Sequence, residues 1–205
     1  MKELDLAVEV EDISASNGRQ IAYTRLSIVI EDVNDNIPKF DQRSYKGAVT
    51  ENTVNGTNIL KVVANDADVK RSIHYKLEGE NDVISRLKID RTTGQIMVGG
   101  KIDHEQLSWL NFTVRATDSG VPPKSNYVDV FIRVGDENDN SPIFLDYKSK
   151  ISVKEDVPVG HIILKVSATD KDEGEFGRVT YFLDSHSTSS KFQINPTTGK
   201  LLMHS

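Results

Sequence analysis

Two short stretches concentrate the chemistry of this chain. Asp32-Val33-Asn34-Asp35-Asn36 and Asp136-Glu137-Asn138-Asp139-Asn140 place a carboxylate or an amide oxygen at almost every position. Glu51, Asp66-Ala67-Asp68, Asp103-His104-Glu105, Asp118 and Asp170-Lys171-Asp172 add further acids at intervals. With the exception of His104, the donors are oxygens. Six to eight oxygens make the shell of Ca2+, whereas zinc and copper select histidine or cysteine. The chain has no cysteine and only five scattered histidines, which excludes a disulfide framework, a thiolate nucleophile and cysteine-ligated zinc. Gathered without a counter-ion, this many carboxylates repel one another.

Other chemistries fail on particular residues. Asp170-Lys171-Asp172-Glu173-Gly174 opens like an EF-hand loop, but Tyr181 stands at its twelfth position, where a bidentate glutamate is needed. His104-Glu105 opens like a zinc-peptidase motif, but Ser108 replaces the second histidine. Paired carboxylates also serve glycosidases; here the pairs recur along the chain, and no nucleophile with a neighbouring base accompanies them, so no enzyme is expected. The net charge of −6 argues against nucleic acid or an anionic membrane surface as partner. No apolar run reaches the ~18–20 residues of a membrane span. The opening MKELDLAVEV alternates charged and apolar residues, unlike a secretory signal. A protein working outside the cell is therefore expected to extend beyond this sequence. The sequons Asn55-Gly56-Thr57 and Asn111-Phe112-Thr113 suit an extracellular glycoprotein.

What must position the acids is a repeating unit. Asp32 to Pro38 returns as Asp136 to Pro142, Glu51 as Glu155, Gly56 as Gly160, and Asp66-Ala67-Asp68 as Asp170-Lys171-Asp172, all at an offset of 104. Ile89-Asp90-Arg91-Thr92-Thr93-Gly94 answers Ile194-Asn195-Pro196-Thr197-Thr198-Gly199 at 105, and Val8 to Asp12 answers Val114 to Asp118 at 106. A single acidic cluster is ordinary turn composition; several recurring in register are not. Between the landmarks the period is two: Leu110, Phe112, Val114 and Ala116; Val128, Val130, Ile132 and Val134; and, earlier, Leu26, Ile28 and Ile30. Such alternation predicts half-buried strands, and about seven of them per ~100 residues predict an immunoglobulin-like sandwich. The expected fold is all-β, with tandem immunoglobulin-like Greek-key β-sandwiches joined by calcium-binding linkers. Residues 1–36 read as the last two strands of one repeat, 37–140 as a complete repeat and 141–205 as the N-terminal part of a third. The inward set of the first two strands (Leu4, Leu6, Val8, Val10, Leu26, Ile28, Ile30) is then expected to be exposed or loosely covered, and Trp109 is expected to pack.

The chain resembles tandem cadherin repeats. The resemblance lies in the linkers Asp32–Pro38 and Asp136–Pro142, in Val49-Thr50-Glu51-Asn52 and Val153-Lys154-Glu155-Asp156, and in the two Asp-x-Asp motifs. Ile102-Asp103-His104-Glu105 and Ala116-Thr117-Asp118 complete it. It implies three Ca2+ ions between successive repeats, stiffening an extracellular rod for calcium-dependent cell–cell adhesion. The implied partners are other cadherin ectodomains, homophilic or heterophilic, and the implied setting is the extracellular face of the plasma membrane, in a larger membrane-anchored protein. A non-adhesive spacer or receptor ectodomain is the alternative. Cysteine-free serial repeats resemble the Fat, Dachsous and protocadherin groups more than the membrane-proximal repeat of catenin-linked cadherins.

Carried onto this sequence, the resemblance implies that Glu51, Asp103, Glu105, Asp136 and Asp139 ligate by side chain at the second joint, and Glu137 and Asn140 by carbonyl. Asn138 reaches across to an ion held by Asp170 and Asp172. At the first joint Asp32, Asn34, Asp35 and Asn36 face Asp66, Asp68 and Asp118; the matching Glu and Asp-x-Glu motifs are expected to precede Met1, as the counterpart of Asp118 in the third repeat is expected to follow Ser205. Two departures stand out. His104 occupies the middle of the usual Asp-Arg-Glu, and seven residues separate Asp68 from Tyr75 where nine separate Asp172 from Tyr181.

Overall fold

The computed structural model describes residues 2–12, 20–68, 72–184 and 190–204; the shortened loop after Asp68 lies largely at 69–71, outside the described residues. Two long strands come first, β1 (Lys2–Asp12) and β2 (Gln20–Ile30). They pair antiparallel from Lys2↔Ile30 to Asp12↔Gln20. Opposed residues share a face, so Leu4, Leu6, Val8 and Val10 line up with Ile28, Leu26, Thr24 and Ala22. That apolar face is exposed, as the repeat boundaries led one to expect: Leu6 is 45% and Val10 64% accessible.

Next come β3 (Lys39–Phe40), β4 (Ser44–Thr50), β5 (Asn58–Lys61), β6 (Ala64–Asn65) and β7 (Ile73–Glu78). A single helical turn, α1 (Asn81–Ile84), precedes β8 (Leu87–Ile89), β9 (Gln95–Val98), β10 (Trp109–Asp118) and β11 (Ser125–Gly135). These strands form a sheet of order β4-β11-β10-β7, a sheet of order β5-β9-β8 and the short pair β3-β6. Period two is visible in the burial: Leu110, Phe112, Val114 and Ala116 on β10, with Val128, Val130, Ile132 and Val134 on β11, are all buried. Ile96, Val98 and Leu87 supply the core from the smaller sheet. Each such Val, Leu, Ile or Phe side chain stabilises by about 1.5–3 kcal/mol. Apart from Pro38, every buried apolar side chain among the described residues lies between Tyr45 and Val134. The expectation for Trp109 is not met. It starts β10 on the parity opposite Leu110 and is 49% exposed.

The chain divides into two compact units. One comprises Met1–Tyr45, Leu60–Met97 and Phe112–Val130; the other comprises Lys46–Ile59, Val98–Asn111 and Phe131–Ser205. Within the first, a turn after β8 is built by Asp90, whose Oδ1 accepts the amides of Thr92 (2.9 Å) and Thr93 (2.7 Å). These amides, that of Thr93 foremost, hold the Asp90 carboxyl below its ordinary range. Gly94 closes the turn at φ +72°, and a Cβ there would meet the Val62 carbonyl at 2.3 Å. The hydroxyl of Tyr75 accepts the Ala64 amide at 2.9 Å.

The second unit repeats this arrangement with different residues. Its strands β12 (Ile143–Phe144), β13 (Ile162–Lys165), β14 (Ala168–Thr169), β15 (Phe192–Ile194) and β16 (Lys200–Met203) make the pair β12-β14 and the sheet β13-β16-β15. These match β3-β6 and β5-β9-β8 in order. Asn195 Oδ1 caps the turn from Thr197 (3.1 Å) and Thr198 (2.9 Å), and Tyr181 accepts the Ala168 amide at 2.8 Å. Segments 148–154 and 179–184, which answer β4 and β7, form no strand. The architecture is all-β, as the periodicity requires.

Candidate metal centre

In the second unit the acids converge because strands β4 and β11 are neighbours in one sheet. The amide of Glu51, just past β4, donates to the carbonyl of Gly135 at the end of β11 (2.9 Å). The Glu51 side chain is only 1% exposed. Its Oε1 accepts the amide of Glu137 at 2.7 Å and its Oε2 that of His104 at 2.8 Å. One carboxylate thereby fixes both the linker after β11 and the loop before β10. Asn52 follows at φ +56°, a left-handed conformation that asparagine tolerates. Its Nδ2 donates to Asp139 Oδ2 at 2.7 Å.

Glu51, Asp103 and Glu105 each offer an oxygen within 4.8 Å of the others, and so do Glu105, Asp136 and Asp172. Glu105 belongs to both groups. Burial, together with the nearby charges of Glu51 and Asp139, raises its carboxyl above the ordinary range against the pull of a backbone amide. Asp103 is held low, first by a 3.0 Å hydrogen bond from Lys101. Asp136 Oδ2 accepts the Glu173 amide at 2.8 Å, while its Oδ1 is buried without a partner. The Asn140 side chain donates to Glu105 (3.0 Å), Asp139 (2.8 Å) and Asp172 (2.7 Å). Asp170 Oδ1 accepts the Asp172 amide at 3.1 Å, so this Asp-x-Asp is a turn that presents its second acid inward. Asp172 is buried; Glu137, Asn138 and Asp139 are exposed.

The set in the first unit is sparser. Asn34 is buried, and its Nδ2 donates to both oxygens of Asp118 (3.2 and 3.3 Å) and to the Pro122 carbonyl (2.6 Å). Gly120 leaves the room for this: a Cβ there would lie 2.1 Å from the Asn34 amide nitrogen. Asp68, also buried, accepts the backbone amide of Asn36 at 3.2 Å as well as its side chain. Asp66 Oδ1 accepts the Asp68 amide at 2.9 Å. Asp66 Oδ2 and Asn34 Oδ1 are buried without partners. Asp32 and Asp35 lie exposed. Among the described residues, both close carboxylate triads belong to the second unit.

This donor set fits a hard cation. It offers oxygens only, gathers Glu105 into two groups of close carboxylates, and aims a buried Asp136 oxygen at no hydrogen-bond donor. Four contributors were not legible in the sequence: Asn52, the Asn140 amide, Gly120 and the ring of His104. The His104 ring lies between the Val134 carbonyl (3.0 Å) and Glu173 (3.1 Å). Burial depresses its pKa, but the carbonyl, Asp136 and Glu173 outweigh this and leave it raised. The one available signal was position, since Asn52 adjoins the glutamate and Gly120 follows Asp118 by two.

A family model described as the Cadherin domain matches 45–135 and 149–205. The chain is 37% identical over 199 residues to the "Fat-like cadherin-related tumor suppressor homolog" of Drosophila melanogaster, covering 96% of this chain and 4% of that protein. It is 35% identical over 212 residues to Cadherin-23 of Homo sapiens (97% and 6%). With "Cadherin EGF LAG seven-pass G-type receptor 3" of Rattus norvegicus it shares 35% over 202 residues (97% and 6%). The chain thus spans only a small part of the curated relatives it matches. Among solved structures, the crystal structure of mouse Cadherin-23 EC22-24 superposes with a TM-score of 0.84 at 32% identity, covering 98% of this chain and 64% of that one.

Proposed function

The chain belongs to the cadherin family, and on that footing we propose that it is a Ca2+-rigidified stretch of ectodomain serving calcium-dependent cell–cell adhesion. Cadherin repeats are extracellular, non-enzymatic modules that generally bind Ca2+. In this reading the repeats run over residues 1–36, 37–140 and 141–205. Glu51, Asp103, Glu105, Asp136, Asp139, Asp170 and Asp172 hold three ions at the second joint, with Glu137 and Asn140 ligating through their backbone carbonyls and Asn138 reaching across to the third ion. Asp32, Asn34, Asp35, Asn36, Asp66, Asp68 and Asp118 form a poorer site at the first. The bound ions supply the positive charge that lets these acids share one small volume. The supporting observation is Glu105, common to two carboxylate triads, beside a buried Asp136 oxygen without a partner. Partners are other cadherin ectodomains, met at the extracellular face of the plasma membrane where the parent protein is anchored. No helix among the described residues is long and apolar enough to cross a membrane.

The test combines Ca2+ titration calorimetry with small-angle scattering of the 205-residue protein, with and without chelator. Saturable binding and a stiffer particle in Ca2+ are expected; no heat and an unchanged profile would refute the reading. Beads coated with the protein should aggregate only in Ca2+. Beads that bind Ca2+ yet stay dispersed would favour the non-adhesive receptor role, to which the similarity to a seven-pass receptor lends weight.

A further inference from the structure

Two residues at the start of β10 belong neither to the core nor to the acid cluster. Trp109, the chain's only tryptophan, is 49% exposed, a large apolar ring to leave in water. Two positions on, Asn111 opens the sequon Asn111-Phe112-Thr113 and is exposed as well. Residues i and i+2 of a strand stand on one face, about 7 Å apart. The burial obeys this: Leu110 and Phe112 are 0% and 6% exposed, so Trp109 and Asn111 share the outward face.

The surroundings of Asn111 are aromatic. The amide of Val134 donates to the Ser108 carbonyl (3.0 Å), and in that antiparallel register Phe131 of β11 stands opposite Asn111. Phe131 is half-buried and lies diagonal to Trp109, within reach of its ring. Among the described residues, neither the indole nor the Asn111 amide has a side-chain hydrogen-bond partner. The other sequon, Asn55-Gly56-Thr57, sits in the turn before β5 and has Thr53 in the place of the indole.

We infer that Asn111 is N-glycosylated and that its first sugar lies over the Trp109 ring. A β-linked N-acetylhexosamine turns a face of C–H bonds outward, and such a face packs on the electron-rich face of an indole. In the transfer, Asn111 Nδ2 attacks the anomeric carbon of an oligosaccharide carried on a lipid pyrophosphate. The bond from Nδ2 to that carbon forms. The bond from that carbon to the pyrophosphate oxygen breaks, its electron pair leaving with the pyrophosphate, and one Nδ2 proton passes to a carboxylate of the transferring enzyme. Transfer acts on the chain before β10 pairs, so the later hydrogen bond from Thr113 to the Glu78 carbonyl (3.1 Å) does not hinder it. The inference rests on the extracellular placement of the family, and on neither calcium nor adhesion.

The test compares the 205-residue protein secreted from cells that N-glycosylate with the same chain made in bacteria without that machinery. Enzymatic release of the glycan in heavy-oxygen water, followed by peptide mass spectrometry, should mark Asn111. As the only tryptophan, Trp109 reports its own cover. Acrylamide should quench its fluorescence at least about twofold less in the glycoprotein, since one face of the ring is covered. The protection should survive trimming to the first sugar, and should vanish in Asn111→Gln but not in Asn55→Gln. Enzymatic removal of the whole glycan from the folded protein makes the same comparison without a substitution. An unoccupied Asn111, or equal quenching with and without its glycan, overturns the inference. Calcium binding and bead aggregation are separate readouts, so its failure is distinguishable from failure of the adhesive reading.

Discussion

Replacing Glu51 by glutamine changes one oxygen to a nitrogen and keeps the side chain's shape. The glutamate carboxylate accepts two backbone amides, from His104 at 2.8 Å and Glu137 at 2.7 Å, at a site 1% exposed. A glutamine oxygen can accept one of them; its NH2 then faces the other N–H, donor against donor. The substitution loses charge assistance and strands one buried amide, each worth about 1–3 kcal/mol, for a total of about 3 kcal/mol. That is roughly a 150-fold change in the unfolding equilibrium. It corresponds to a drop in Tm of roughly 12–24 °C for a domain near 100 residues. The measurement is thermal and urea unfolding followed by circular dichroism in chelator, where cation binding makes no contribution. Repeating it in Ca2+ should widen the gap, since the wild type alone gains full linkage stabilisation. A Glu51→Gln protein within about 0.5 kcal/mol of wild type in chelator would refute the reasoning: the carboxylate would not be organising the two loops.

At the acid cluster, Glu105→Gln should weaken Ca2+ binding about tenfold more than Asp170→Asn does, because Glu105 joins both triads; calorimetry giving equal losses would contradict the sharing. Gly94→Ala should destabilise by about 3 kcal/mol, from the left-handed φ plus the Val62 carbonyl at 2.3 Å. Gly56→Ala, at φ +89° with nothing within 4 Å, should cost only about 1 kcal/mol in the same urea titration. The Tyr45 phenol, pushed up to about 12 by burial and then by Asp41, should ionise last of the six tyrosines in a near-ultraviolet absorbance titration. Its folded pKa lies above the ordinary tyrosine value of 10.0, so its stabilising contribution is intact below pH 10 and is lost as pH rises towards 12. Tyr45→Phe should abolish that pH dependence, and six tyrosines ionising together would count against it.

Much of this protein could be read from the residue order. Alternation on β10 and β11 places Leu110 to Ala116 and Val128 to Val134 inside because a strand turns successive side chains to opposite faces. The turns at Asp90-Gly94 and Asn195-Gly199 were legible for a similar reason: a side-chain oxygen two and three residues from its donor amides is a local interaction. The oxygen-rich composition of the candidate site was legible as well. Its wiring was not. That Glu51 bonds the amides of both His104 and Glu137, that Glu105 is the acid shared by two triads, and that His104 spans Val134 and Glu173 depend on pairs far apart in the chain. Such pairs meet because β4 lies beside β11 and because the turn after β14 offers its acids to the linker. Composition and spacing state which groups are available at each strand end; only the pairing of distant strands decides which ends coincide. The energies that settle that pairing come from burying the whole core, not from the acidic residues it brings together.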